Sequence, residues 1–78
     1  MFDGTRVEFF FNEHPPPHFH AICAGERGAI TIGSLELLKG TLIAPNLRRV
    51  KDWAASRREA LMHAWKNCRN HEEPGWIK

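Results

Sequence analysis

No run of apolar residues in this 78-residue chain approaches the roughly 20 that a membrane-spanning helix needs. The opening MFDGTRVEFFF also lacks the basic-then-apolar layout of a secretion signal. A cytoplasmic protein with no membrane attachment is the expectation. Cysteine is scarce: Cys23 and Cys68 form no CxxC pair, which argues against a disulfide framework or a zinc knuckle and for reduced thiols. Charge of one sign is lacking too, since a formal net charge of +2 does not by itself mark a nucleic-acid binder. Absent as well are a GxSxG elbow, a phosphate-cradling glycine loop, an HExxH pair and paired carboxylates with a shared face. Ser34 and Ser56 have no evident base.

What is present suffices for one core. A chain of this length has no room for a second, so residues 1–78 are expected to form a single domain. The hydrophobic share is 42%, with five Phe and three Trp to bury. Domains this short are marginally stable and gain from a partner, so self-association stays open.

Strand patterns come first along the chain and a helical pattern follows. In TRVEFFF, residues 5–11, Val7, Phe9 and Phe11 alternate with Arg6, Glu8 and Phe10, as the two faces of a strand would. The prolines at 15–17 cannot donate ladder hydrogen bonds, so this strand must stop near Asn12 or Glu13. A second strand is expected over residues 18–24, HFHAICA, with Cys23 turned to the same side as Phe19 and Ala21. A tight loop at Gly25-Glu26-Arg27-Gly28 leads to a third over 29–32. Two further short strands, 35–38 and 41–43, flank the turn at Gly40.

From Pro45 to about Arg69 the period becomes helical, with Pro45 either the first helical residue or just ahead of an Asn46 cap. Leu47, Val50, Trp53, Ala54, Ala60, Leu61, Ala64, Trp65 and Cys68 share one stripe. The expected fold is therefore α+β: a small antiparallel sheet of three to four strands with one long C-terminal helix packed on one face. Arg57 intrudes in the middle of the apolar stripe. Its guanidinium either snorkels to water or reaches a carboxylate, a carbonyl or a bound anion. Arg48, Arg49, Lys51, Arg57 and Arg58 make the region locally basic, as a phosphate contact or a solvated helix face would be.

The segment HPPPHFH, residues 14–20, holds three of the five histidines. Residues two apart on a strand share a face, so His18 and His20 meet a common environment while Phe19 turns away. Three chemistries fit. With His14 they supply a three-histidine set for zinc or nickel with an open position. Without metal, His18 and His20 can serve as acid and base. Alternatively they only cap and pack the strand entry. His63 and His71, on the helix surface and in the tail, receive no role.

The PPHFH segment, the hairpin that follows, the run ELLKGTL and the helix pattern LRRVKDWAASRREALMHAW together resemble a bacterial family known as domain of unknown function 4160. The likeness runs from Arg6 to Ile77. It implies a small cytoplasmic protein encoded beside a second small protein, an arrangement similar to toxin–antitoxin pairs, and hence an interaction module that binds protein or nucleic acid. The family's PPHxH motif falls on Pro16, Pro17, His18 and His20, and its usual helix histidine falls on Arg57. That departure puts His18, His20 and Arg57 forward as a shared pocket. The alternative is a small ribonuclease or metal-assisted hydrolase using His18 and His20, with Arg57 stabilising a phosphate.

Overall fold

A computed structural model describes residues 4–10 and 14–69, the last without its side chain. Phe11, Asn12 and Glu13, where the first strand was expected to end, lie outside the described residues, as do His71, Pro74 and Gly75. Four strands, β1 (Thr5–Glu8), β2 (His18–Cys23), β3 (Glu26–Thr31) and β4 (Leu37–Gly40), precede two helices, α1 (Ala44–Ala55) and α2 (Arg58–Arg69). The sheet is an antiparallel meander in the order β1-β2-β3-β4. No described helix is long and apolar enough to cross a membrane.

Alternation sorts the faces as expected. Phe19, Ala21 and Cys23 of β2 and Ile30 of β3 are buried in one cluster with Val50 and Ala54 of α1 and Leu61 and Trp65 of α2. Val7 of β1 and Phe9 just after it pack against that cluster. The expected loop at residues 25–28 is shorter than proposed. Cys23 pairs with Glu26 across Ala24 and Gly25, which have φ values of 50° and 83°, and two positive φ values suit the right-handed twist of a hairpin. Gly28 belongs to β3, where a Cβ would come within 2.8 Å of Leu37 Cδ1. It is a packing glycine, not a turn glycine.

The two short strands expected around Gly40 are replaced by β4 alone. Leu35 has φ 57°, a left-handed value incompatible with extended chain, and its side chain is buried. β4 is an edge strand with all of its residues exposed, and Leu38 bulges out of the register between the Ala29–Lys39 and Ile30–Leu37 pairs. A bulge at an edge discourages pairing with another chain.

The single long helix is corrected to two. The helix is interrupted at Ser56 and Arg57 without glycine or proline, and the reason lies in how the ends are satisfied. The Arg57 amide donates to Ala54 O at 2.9 Å, and the Arg57 carbonyl accepts the first bond of α2 from the Leu61 amide at 2.9 Å. The Arg57 guanidinium donates from Nη1 to Trp53 O at 2.7 Å and to Ser56 Oγ at 3.2 Å, and lies over the Trp53 ring at 5.0 Å. A cation bonded to a terminal carbonyl favours a helix end there. The break also resets the helical phase: Leu61, Ala64, Trp65 and Cys68 stay buried, while Ala60 falls out of the stripe and is exposed.

At the other end, α1 starts at Ala44 with Pro45 in its first turn, and no side chain of the helix caps it. The carboxylate of Glu26 does so from β3. Its Oε1 accepts from the Ile43 amide at 3.0 Å and from Asn46 Nδ2 at 3.2 Å, and Asn46 Oδ1 in turn accepts from Arg49 Nη2. Asn46 is buried, so this network fixes α1 to the sheet. Replacing Glu26 by Ala leaves those donors without their acceptor and should cost about 1–2 kcal/mol. The loss is expected as a lower urea midpoint with an unchanged slope.

Candidate functional site

Directly opposed residues of antiparallel strands share a face. Glu8 pairs with His20, His20 with Ala29, and Ala29 with Lys39. Four strands thus contribute one cross-strand row: carboxylate, imidazole, methyl, ammonium. At about 4.8 Å per strand, His20 and Lys39 stand about 10 Å apart at the backbone with only Ala29 between them. A second row, Arg6–Ile22–Arg27, runs beside it, and His18 pairs with Thr31 on the far side. This face is the one opposite Phe19, Ala21 and Ile30.

The small Ala29 side chain leaves a hollow, with the backbone of Gly28 and Gly40 beside it. A cleft of about 320 Å³ opens there, lined by Phe10, His20, Arg27, Gly28, Ala29, Lys39 and Gly40. Arg27 and Lys39 are exposed at its rim, and Phe10 stacks on His20 with ring centroids 4.6 Å apart. Glu8 is the one acid in the row, and Arg6 Nη2 donates to its Oε2 at 3.0 Å. An exposed pair of this kind is worth little in stability, but it balances the carboxylate's charge.

His18 and His20 do come together, with ring centroids 5.2 Å apart and edge-on at 70°. Both are buried, at 3% and 7% exposure. Trp65, a member of the core cluster, approaches His18 to 4.9 Å between ring centroids. His18 Nδ1 lies 2.7 Å from Pro16 O. A carbonyl only accepts, so Nδ1 carries a proton and donates to it. The prolines therefore do set an imidazole: Pro16 supplies the carbonyl that holds its Nδ1–H.

The other expected members are placed elsewhere. His14 is exposed, and among the described residues no group of three or more His, Cys, Asp or Glu side chains is arranged to hold a metal ion. The three-histidine set is thus not gathered. Arg57 sits over Trp53, whose ring packs at 6.3 Å on Phe19, the residue that points away from both imidazoles. Its described contacts close α1 instead of joining the histidine pair.

The family model described as Domain of unknown function (DUF4160) matches residues 4–66, which span the whole sheet, α1 and most of α2. The chain belongs to this family. No curated protein and no solved structure matches it. The match stops short of Ile77, so the tail resemblance rests on the sequence pattern alone. Within this DUF4160 domain, sequence reasoning missed Glu8, Phe10, Arg27 and Lys39 as neighbours of His20. Alternation put Glu8 and Phe10 on one face of β1, but only the register across the proline segment places that face with His20.

A larger concavity, about 820 Å³, runs along α1 and is lined by Ala44, Pro45, Leu47, Arg48, Arg49, Lys51 and Asp52. All of its walls come from one short segment, so it is the side of a helix and not a site assembled by the fold. The cleft on the sheet draws on β2, β3 and β4 together with Phe10 just beyond β1.

Proposed function

We propose that this DUF4160 domain is an interaction module of a toxin–antitoxin-like two-gene system, working beside a small protein partner, and that it binds nucleic acid through the outer face of its sheet. The observation that carries this is the cleft in which His20, Arg27 and Lys39 surround a floor of Ala29 and glycine backbone. Cations at the rim of a concave site meet phosphate oxygens, and a floor with no side chain larger than a methyl lets the strand approach closely. The net charge of +2 then matters less than its placement.

Binding of labelled oligonucleotides to the intact chain, followed by fluorescence anisotropy at several salt concentrations, tests the proposal. A dissociation constant that weakens steeply with salt supports it. Salt-independent binding, or none, removes it.

The bond from His18 Nδ1 to Pro16 O favours a second function, RNA cleavage. His20 lines the cleft and meets the substrate, and His18 behind it, held by Pro16 O, is a positioning residue. In that case His20→Ala lowers cleavage of a labelled oligoribonucleotide by about a hundredfold or more while binding persists. Intact oligonucleotide after prolonged incubation with the wild-type chain leaves binding as the function.

A further inference from the structure

We propose that the ligand of the sheet face is a single strand, with an unpaired base stacked on Phe10 and the flanking phosphates on Arg27 and Lys39. This rests on the nucleic-acid reading above and goes further by naming the form of the ligand. Phe10 is 40% exposed, so part of its ring is open to a ligand. It lines the cleft from the β1 side while Arg27 and Lys39 line it from β3 and β4. One flank of the ring rests on His20, at 4.6 Å and tilted by 57°, so its position is supported from beneath by a buried side chain.

An aromatic platform next to two cations matches the chemistry of an unstacked nucleotide. The base supplies a π-face, and its phosphates supply negative charge. A duplex offers no free base face to Phe10, because its bases are already stacked on one another. The cleft volume of about 320 Å³ lies at the low end of small-ligand sites, where one nucleotide is a better match than a double helix. Guanidinium and ammonium groups also make the charge complementarity specific to an anion, which an apolar peptide lacks.

The test uses the full chain with four fluorescein-labelled probes of one length: single-stranded RNA, single-stranded DNA of the same sequence, the corresponding duplex, and an abasic single strand. Wild type, Phe10→Leu and Phe10→Trp are compared, with urea midpoints recorded for each. The expected result is tighter binding of single strands than of duplex. Phe10→Leu should lose roughly five- to a hundredfold in affinity for the base-bearing strands, with little change for the abasic one. Phe10→Trp should retain affinity. The RNA and DNA arms tell which sugar is preferred without altering the claim.

Equal affinity of the wild-type chain for duplex, single and abasic strands overturns the inference and leaves nucleic-acid binding standing. The same holds if Phe10→Leu folds normally and binds single strands unchanged. Failure of every probe to bind overturns both.

Discussion

Arg27→Ala and Lys39→Ala together are expected to weaken single-strand binding about 25-fold near 0.1 M salt and only about 5-fold near 0.3 M. The figures follow from counterion release. Each phosphate neutralised on a single strand contributes about 0.7 to the slope of log affinity against log salt, so losing two contacts removes about 1.4. Both side chains are exposed, and truncating them should leave stability within about 0.5 kcal/mol. Arg48→Ala with Lys51→Ala is the informative comparison, because it makes the same change in net charge on α1. If Arg27 and Lys39 contact phosphate, the α1 pair acts only through long-range attraction, which salt screens over about 10 Å at 0.1 M. Equal effects of the two pairs would mean that the chain attracts nucleic acid by overall charge, and the cleft would lose its claim.

The parts of this face that sequence could show are those set by local periodicity. His18 and His20 stand two residues apart in a strand, so their shared side follows from spacing alone, and their rings do meet at 5.2 Å. What brings Glu8, Ala29 and Lys39 beside His20 is register, which is fixed by long-range pairing and by how the chain closes the proline segment. No short-range signal encodes it. Gly28 illustrates the same limit: its place in GERG suggests a turn, whereas the space left by Leu37 and Leu42 is what excludes a side chain there.

The helix break is hidden for a different reason. Ser56 and Arg57 carry no strong terminating signal, and an Arg four residues after Trp53 looks identical in a continuous helix and in one that has just ended. The intrusion of Arg57 into the apolar stripe was legible. Its described contacts include a bond back to Trp53 O and a stacked indole, and pattern alone does not distinguish these from a reach across the molecule to the sheet.

Gly40→Ala should be the most damaging small substitution on the sheet, costing about 3 kcal/mol. Gly40 has φ 87°, which an L side chain adopts only at a cost of about 1–2 kcal/mol. A Cβ there would also overlap the Arg27 carbonyl oxygen and come within 2.9 Å of Gly28 Cα, both backbone atoms of β3. Backbone cannot swing aside as a side-chain tip can, so β4 must move away from β3. That shift strains the bond from the Thr41 amide to Arg27 O, 3.0 Å in the intact sheet, and carries Lys39 away from the cleft. Gly33→Ala provides the contrast, because its φ is ordinary and no atom lies within 4 Å of the added methyl. It should leave stability unchanged or raise it by about 0.4–1 kcal/mol through the unfolded chain. Urea denaturation of both variants decides the matter. A Gly40→Ala midpoint equal to that of Gly33→Ala would mean that β3 and β4 do not approach as closely as described, and the glycine floor under the proposed strand would go with it.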